Sequence, residues 1–105
     1  MIWKPIENFE NLYEVNEDGQ VRGLKRGKLL KPQINRKTGY LHVLLWKNSK
    51  IQLHYLHRLV AQAFVENPHG YKYVSHIDGD LTNNAAENLQ WMEKTTPYKN
   101  KARQK

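Results

Sequence analysis

The sequence predicts an α+β fold built from small antiparallel β hairpins and short helices. Several short stretches are rich in β-branched and aromatic residues and are separated by polar turns, a pattern typical of antiparallel strands. From Leu56 onward, apolar residues instead recur at helical spacing. The chain of 105 residues is long enough for one domain with a modest core. We therefore expect a small, loop-rich protein with room for a single site.

The first part of the chain predicts a small sheet. Residues Trp3 to Phe9 form an apolar anchor with Pro5 at a bend. Leu12 to Val15 alternates in polarity as a strand does, and Glu17-Asp18-Gly19 supplies a turn. Val21 then begins the returning strand, so these residues predict a hairpin.

A second hairpin is predicted in the middle of the chain. Tyr40 to Trp46 and Ile51 to Tyr55 are rich in strand-forming residues, and they flank the polar turn Lys47 to Lys50. Leu29-Leu30 precedes Pro32, and because proline interrupts strand pairing, any strand there is short or lies at a sheet edge.

The last third predicts a helix, two strands and another helix. The first helix begins at Leu56 and ends before Asn67-Pro68, because proline disfavours helical backbone at the residue before it. Tyr73 to Ile77 and Leu89 to Met92 resemble two strands that bracket a long polar loop, and Pro97 to Arg103 predicts the final helix.

Composition narrows the functional classes. Seventeen Lys and Arg against ten Asp and Glu give a net charge of +7, which favours a polyanionic partner. Cysteine is absent, so disulfides, thiolate catalysis and cysteine-bearing zinc sites are excluded. No apolar run approaches the roughly 18 residues of a membrane span, and the N-terminus does not resemble a signal peptide. We expect a soluble protein of the cytoplasm that does not bind membranes.

The basic residues form two groups, one between Arg22 and Lys37 without an acidic residue and one after Trp91. A single charge run is more often a solvated face, but two runs around a candidate site favour phosphate binding, which is driven largely by counterion release. His57 begins the first helix, where packing or a contact to a phosphate backbone is expected rather than catalysis. The residues expected to contact such a polyanion are Arg22, Lys25, Arg26, Lys28, Arg36, Lys37, His57, Arg58 and Lys99.

His76 and Asn88 are the candidate catalytic residues. His76 lies on one short β-rich run and Asn88 lies just before the next, so two strands joined by a loop can bring them face to face. A histidine near its ordinary pKa is a competent base at neutral pH, and an amide can orient it. An isolated histidine is more often an ordinary polar residue, and only the surrounding motif favours a base.

Two ordered sets of motifs resemble known families. The segments similar to HNH endonucleases of phage and homing type are His57–Phe64, Asn67–Pro68, Val74–Gly79, Asn83–Asn84, Glu87–Leu89 and Trp91. The segments similar to the NUMOD4 module that often precedes such nucleases are Ile2–Ile6, Phe9–Val15 and Gly19–Arg22. We therefore expect a basic NUMOD4-like DNA-binding module at residues 1–38 and an HNH nuclease domain at residues 39–105, joined as one compact unit.

The HNH resemblance implies a C-terminal ββα-metal motif, in which two strands and a helix hold a divalent cation, Mg²⁺ or Mn²⁺, against a scissile phosphate. His76 would then be the general base, and Asn88 would fix the loop and help to position His76 by hydrogen bonding. Asn100 on the final helix and Ser75 would be the metal ligands. Family members usually carry Asp or Asn where this chain has Ser75, and a neutral hydroxyl is a weaker ligand for a hard cation. Asp78 or Asp80 could supply charge nearby.

The resemblance implies metal-dependent hydrolysis of phosphodiester bonds in double-stranded DNA by a phage or mobile-element nuclease, leaving 5′-phosphate and 3′-hydroxyl ends. One active site per chain predicts nicking by a monomer, or double-strand cleavage by a homodimer. The alternative is a DNA-binding protein with an HNH fold whose cleavage is weak or lost because of Ser75. A zinc-stabilised adaptor is disfavoured because cysteine is absent.

Overall fold

The computed structural model describes residues 2–93, and the first element it contains is a three-stranded antiparallel sheet. The strands are β1 (Trp3–Pro5), β2 (Tyr13–Asn16) and β3 (Val21–Gly23), paired in that order. The predicted hairpin is confirmed, and the apolar anchor additionally forms β1. Pro5 is tolerated there because β1 is an edge strand that pairs only with β2.

A second antiparallel sheet follows, with strands β4 (Gln33–Ile34), β5 (Leu41–Lys47) and β6 (Lys50–Tyr55) in that order. Asn48 and Ser49 form the tight turn of the predicted hairpin, with φ of 54° and 65°. Two consecutive residues with positive φ give a turn whose twist matches that of the flanking strands.

The short strand predicted at Leu29-Leu30 is reduced to a single bridge between Leu29 and Arg22. The edge strand of the second sheet, β4, lies instead beyond Pro32. This placement leaves the basic segment between β3 and β4 as loops, with most of its side chains exposed.

The predicted helix α1 spans Leu56–Phe64 and is followed by a two-stranded antiparallel sheet. Its strands are β7 (Tyr73–His76) and β8 (Leu89–Met92), and a 3₁₀ turn at Ala86–Asn88 leads into β8. The final helix predicted at Pro97–Arg103 lies outside the described residues. No helix within residues 2–93 is long and apolar enough to cross a membrane.

Buried apolar side chains from all three sheets and α1 form one core cluster. The members of this cluster are Ile6, Phe9, Val15, Val21, Val43, Leu45, Leu56, Leu59, Val60, Ala61 and Leu89. Two hydrogen bonds between distant segments of the chain also hold the elements together. Trp91 Nε1 donates to the Val65 carbonyl at 3.1 Å, and the Ala86 amide donates to the Glu17 carbonyl at 2.8 Å. The second bond joins the β2–β3 turn to the loop between β7 and β8.

Candidate active site

His76 is the last residue of β7, where pairing with Leu89 holds its backbone against β8. Its side chain is only 7% exposed, and Nε2 lies 2.7 Å from Oδ1 of Asn84, which is 4% exposed. A short hydrogen bond between two buried side chains holds the imidazole in one orientation, because neither partner can exchange readily with water. The site therefore contains a buried and well-positioned imidazole.

Asn88 fixes the loop between β7 and β8. Its Oδ1 accepts from the Asp78 amide at 3.1 Å, and its Nδ2 donates to Asp78 Oδ1 and the Asn83 carbonyl, both at 2.9 Å. The Asn88 carbonyl also accepts from the Ile77 amide at 2.8 Å. Asn88 thus ties the beginning of the loop to its end, a role that asparagine fills because it carries both a donor and an acceptor.

The expected hydrogen bond from Asn88 to His76 is not present, and Asn84 makes that contact instead. The reason is geometric: Asn88 closes the 3₁₀ turn, and its amide is used by Asp78 and Asn83. The sequence singled out Asn84 only as part of a short segment, Asn83–Asn84, that is similar to HNH endonucleases. The sole signal was its place in an Asn-Asn pair after the histidine strand, which does not show which amide turns inward.

Two further rings line the imidazole. His57, in the first turn of α1, is 6% exposed, and its ring centroid lies 5.1 Å from that of His76. Tyr40 stacks on His57 at 4.6 Å and lies 5.9 Å from His76. His57 was expected either to pack or to contact DNA, and here it packs against both of the other rings. Sequence reasoning did not single out Tyr40.

The carboxylates of the loop are ionised at neutral pH. A hydrogen bond from the Asn83 side chain, with others from the Asp80 amide and Asn88, lowers the pKa of Asp78. The pKa of Asp80 is lowered mainly by the Thr82 hydroxyl and amide. Hydrogen bonds to the charged form favour ionisation. The carboxylates therefore carry negative charge close to His76 while they hold the loop together.

The residues described by the structure could supply only a few of the ligands of a divalent cation. Ser75 lies on β7 next to His76 and offers a neutral hydroxyl. Within residues 2–93, no three His, Cys, Asp or Glu side chains are grouped closely enough to hold a metal ion. Asp78 and Asp80 already accept hydrogen bonds from the loop, and Asn100 lies outside the described residues. Mg²⁺ commonly keeps several waters and binds through substrate phosphates, which suits a site of this kind.

Among the basic residues expected to contact DNA, those within residues 2–93 fall into two groups. Arg22 and Arg58 have intramolecular partners: Arg22 forms an ion pair with Glu14 at 2.7 Å, and Arg58 donates to the Lys72 carbonyl at 2.8 Å. Lys99 lies outside the described residues. The remaining members are exposed on the loops around β4, and they are Lys25, Arg26, Lys28, Arg36 and Lys37.

Comparison with known proteins finds a match for each half of the chain. The family model of the NUMOD4 motif matches residues 1–46, and that of an HNH endonuclease matches residues 54–96. The DNA endonuclease I-HmuI of Bacillus phage SP01 is 41% identical over 92 residues, which are 88% of this chain and 52% of that protein. The uncharacterized HNH endonuclease L245 of Acanthamoeba polyphaga mimivirus is 41% identical over 95% of this chain and 28% of its own length.

The fold agrees with the sequence comparison. A solved structure describing DNA binding and cleavage by the HNH homing endonuclease I-HmuI matches with a TM-score of 0.84 at 36% identity. The match covers 98% of this chain and 59% of that one, so the chain spans about half, or less, of the length of these relatives. Residues 1–46 therefore carry the NUMOD4 motif and residues 54–96 the HNH endonuclease motif, in the order expected from the sequence, and the fold is similar to that of I-HmuI.

Proposed function

We propose that this chain hydrolyses phosphodiester bonds in double-stranded DNA as a homing-type endonuclease of a phage or mobile element. The observation that carries the proposal is the buried imidazole of His76 at the end of β7, held by Asn84 in a chain with the fold of I-HmuI. I-HmuI itself binds and cleaves DNA. We place the activity in the cytoplasm of a bacterial or phage-infected cell.

In the proposed mechanism, His76 removes a proton from the attacking water. Histidine suits this step because the unprotonated nitrogen of a neutral imidazole can accept a proton from water. Asn88 keeps the loop closed around the base through its bonds to Asp78 and Asn83. The expected products are 5′-phosphate and 3′-hydroxyl ends.

A divalent cation, Mg²⁺ or Mn²⁺, would neutralise charge on the scissile phosphate and on the leaving 3′ oxygen. We propose Ser75 and Asn100 as its protein ligands, with the remaining positions filled by phosphate oxygens and water. HNH endonucleases as a family use a divalent metal, and the choice between the two ions is part of the proposal.

DNA binding is assigned to the basic N-terminal half. We propose that residues 1–38 form the DNA-binding module and residues 39–105 the nuclease domain. The exposed Lys25, Arg26 and Lys28 would contact phosphates first, since cationic side chains on loops attract DNA without reading its sequence. A monomer with one His76 would nick one strand, and a homodimer would cut both.

The test is incubation of the purified protein with supercoiled plasmid in Mg²⁺ or Mn²⁺, with conversion to nicked and linear forms followed on gels. We expect cleavage to be lost with EDTA and with His76→Ala. The matched control is His69→Ala, because His69 is an exposed histidine in the loop between α1 and β7. Equal cleavage by His76→Ala and the wild type would rule out the proposed mechanism.

A second function is favoured by Ser75, whose hydroxyl is a poorer cation ligand than the Asp or Asn usual in this family. The chain would then bind DNA through its basic loops without cutting it. Retarded DNA that stays intact in both metals would support this alternative, and Ser75→Asp would show whether one carboxylate restores cleavage.

A further inference from the structure

We propose that Asn84 is a positioning residue that selects the tautomer of His76, and that the β2–β3 turn of the N-terminal segment holds Asn84 in place. The inference deepens the proposed endonuclease function, and it assigns a role in the nuclease site to the segment matched by the NUMOD4 motif. Three sets of contacts carry it.

The first is the contact between Asn84 and His76. Asn84 Oδ1 lies 2.7 Å from His76 Nε2, and an amide oxygen can only accept a hydrogen bond. Nε2 therefore carries the proton, and in the neutral imidazole Nδ1 keeps the lone pair that removes a proton from water. Asn84 Nδ2 is buried without a hydrogen-bond partner within residues 2–93, so the oxygen makes the specific contact of this side chain.

The second set joins the β2–β3 turn to the segment around Asn84. Gly19 adopts a φ of +90°, and a Cβ added there would lie 3.1 Å from the Asn84 carbonyl oxygen and 3.3 Å from Asn84 Cβ. Two residues beyond Asn84, the Ala86 amide donates to the Glu17 carbonyl at 2.8 Å. The turn thus supports the backbone of Asn84 both by close packing and by a hydrogen bond.

The third set makes the turn a rigid support. Asn16 is fully buried, and its Oδ1 accepts from the amides of Asp18 at 3.0 Å and Gln20 at 2.9 Å. Its Nδ2 donates to the Gln20 side chain at 2.9 Å. An asparagine that bonds backbone amides two and four residues later fixes the turn independently of the loop that the turn contacts.

The first experiment compares Asn84→Leu with Asn84→Asp. Leucine keeps the approximate volume and removes the acceptor, whereas aspartate keeps the acceptor at the same position. Nitrogen-15 NMR of the metal-free protein reports the His76 tautomer, and single-turnover cleavage is measured beside DNA affinity. We expect the Nε2–H form in the wild type and Asn84→Asp. In Asn84→Leu we expect loss of that form, with cleavage about a hundredfold slower and DNA affinity unchanged.

Two outcomes would overturn the assignment of Asn84: an Nδ1–H tautomer in the wild type, or an unchanged tautomer in Asn84→Leu. If Asn84 served only for packing, Asn84→Leu would be tolerated and Asn84→Asp would be the damaging change. Because the tautomer is read without metal or DNA, a wild-type protein that fails to cleave would refute the proposed function and leave this test intact.

The second experiment tests the turn with Gly19→Ala against Gly70→Ala. Both glycines have positive φ, +90° and +66°, so both variants strain the backbone, but a Cβ at Gly70 meets no atom within 4 Å. We expect Gly19→Ala to slow single-turnover cleavage and to disturb the His76 Nε2–H signal, while Gly70→Ala changes neither. If the two variants changed cleavage and the His76 signal equally, the proposed support of Asn84 by the turn would be wrong.

Discussion

Neighbouring residues of the loop after β7 perform separate tasks although several are the same amino acid. Asn84 turns inward to the imidazole of His76, whereas Asn88 bonds Asp78 and the Asn83 carbonyl. The amide can serve both tasks because it offers a donor and an acceptor without the cost of burying a charge. Ser75 differs, because its proposed role as a metal ligand depends on the chemistry of the hydroxyl itself.

Replacing Ser75 with Asp is predicted to strengthen metal binding. A carboxylate is a better ligand for a hard cation than a neutral hydroxyl, so the Mg²⁺ concentration for half-maximal cleavage should fall roughly tenfold, equivalent to about 1.4 kcal/mol. Plasmid nicking across a Mg²⁺ titration measures this. Ser75→Asn is the matched neutral variant and should give a smaller change. An unchanged Mg²⁺ requirement in Ser75→Asp would remove Ser75 from the ligand set.

At the scale of elements, the loop between β7 and β8 depends on an ionised Asp78. Its lowered pKa, caused first by the hydrogen bond from Asn83, means that the folded state binds the proton less readily than the unfolded chain does. Asp78 therefore stabilises the fold above its ordinary pKa of 3.8, and this contribution is lost as the pH falls through the lower folded value.

Acid should destabilise the wild type more than Asp78→Asn. We expect the free energy of unfolding of the wild type to fall as the pH drops below about 4, because Asp78 must then take up a proton. Asp78→Asn should be less stable at pH 7 and show a shallower loss in acid. Urea denaturation at several pH values measures both, with Glu66→Gln as the control for an exposed carboxylate outside the loop. Parallel pH curves for wild type and Asp78→Asn would contradict the prediction.

Strand β5 shows how one element divides its residues between core and solvent. Leu45 is fully buried in the core cluster, while the adjacent Leu44 is 38% exposed on the opposite face. We predict that Leu45→Ala lowers the free energy of unfolding by about 2–5 kcal/mol through lost burial and the cavity left behind. Leu44→Ala, the matched control, should cost much less. Urea titrations of both variants measure the free energy of unfolding. Similar losses in the two variants would contradict the prediction that only the face of β5 bearing Leu45 is packed in the core.

On the scale of the whole molecule, the chain has a net charge of +7, and within residues 2–93 a group of exposed Lys and Arg side chains lies on the loops around β4. Arg22 and Arg58 have protein partners, so the exposed lysines and arginines around β4 are the better candidates for phosphate contacts. The desolvation penalty of these cations on folding is small, because their side chains stay exposed and hydrated. Binding through them should depend steeply on salt.

The combined variant Lys25→Gln, Arg26→Gln and Lys28→Gln is predicted to weaken DNA binding at low salt. Each lost phosphate contact should reduce the slope of log K against log salt by about 0.9, because fewer counterions are released. Fluorescence anisotropy with a labelled duplex measures the slope, and Lys72→Gln serves as a control at an exposed lysine outside the basic loops. A slope equal to that of the wild type would exclude these three residues from the interface.

Sequence alone was sufficient for the features that are written locally along the chain. The alternating strands, the nine-residue helix α1 and the glycine turn after β2 were all predicted, because strand and helix periodicity and turn chemistry depend on near neighbours. The resemblance to the HNH and NUMOD4 motifs was also found from the sequence, since each motif is contiguous, and the family models match both.

Only the tertiary structure decided which side chains meet. It brought Asn84 rather than Asn88 to His76, buried His57 against the rings of Tyr40 and His76, and set the turn at Gly19 against Asn84. These contacts join residues from distant segments, and each depends on the direction that a side chain takes from a loop or a helix. Side-chain direction follows from packing of the assembled elements, which periodicity along the chain does not encode.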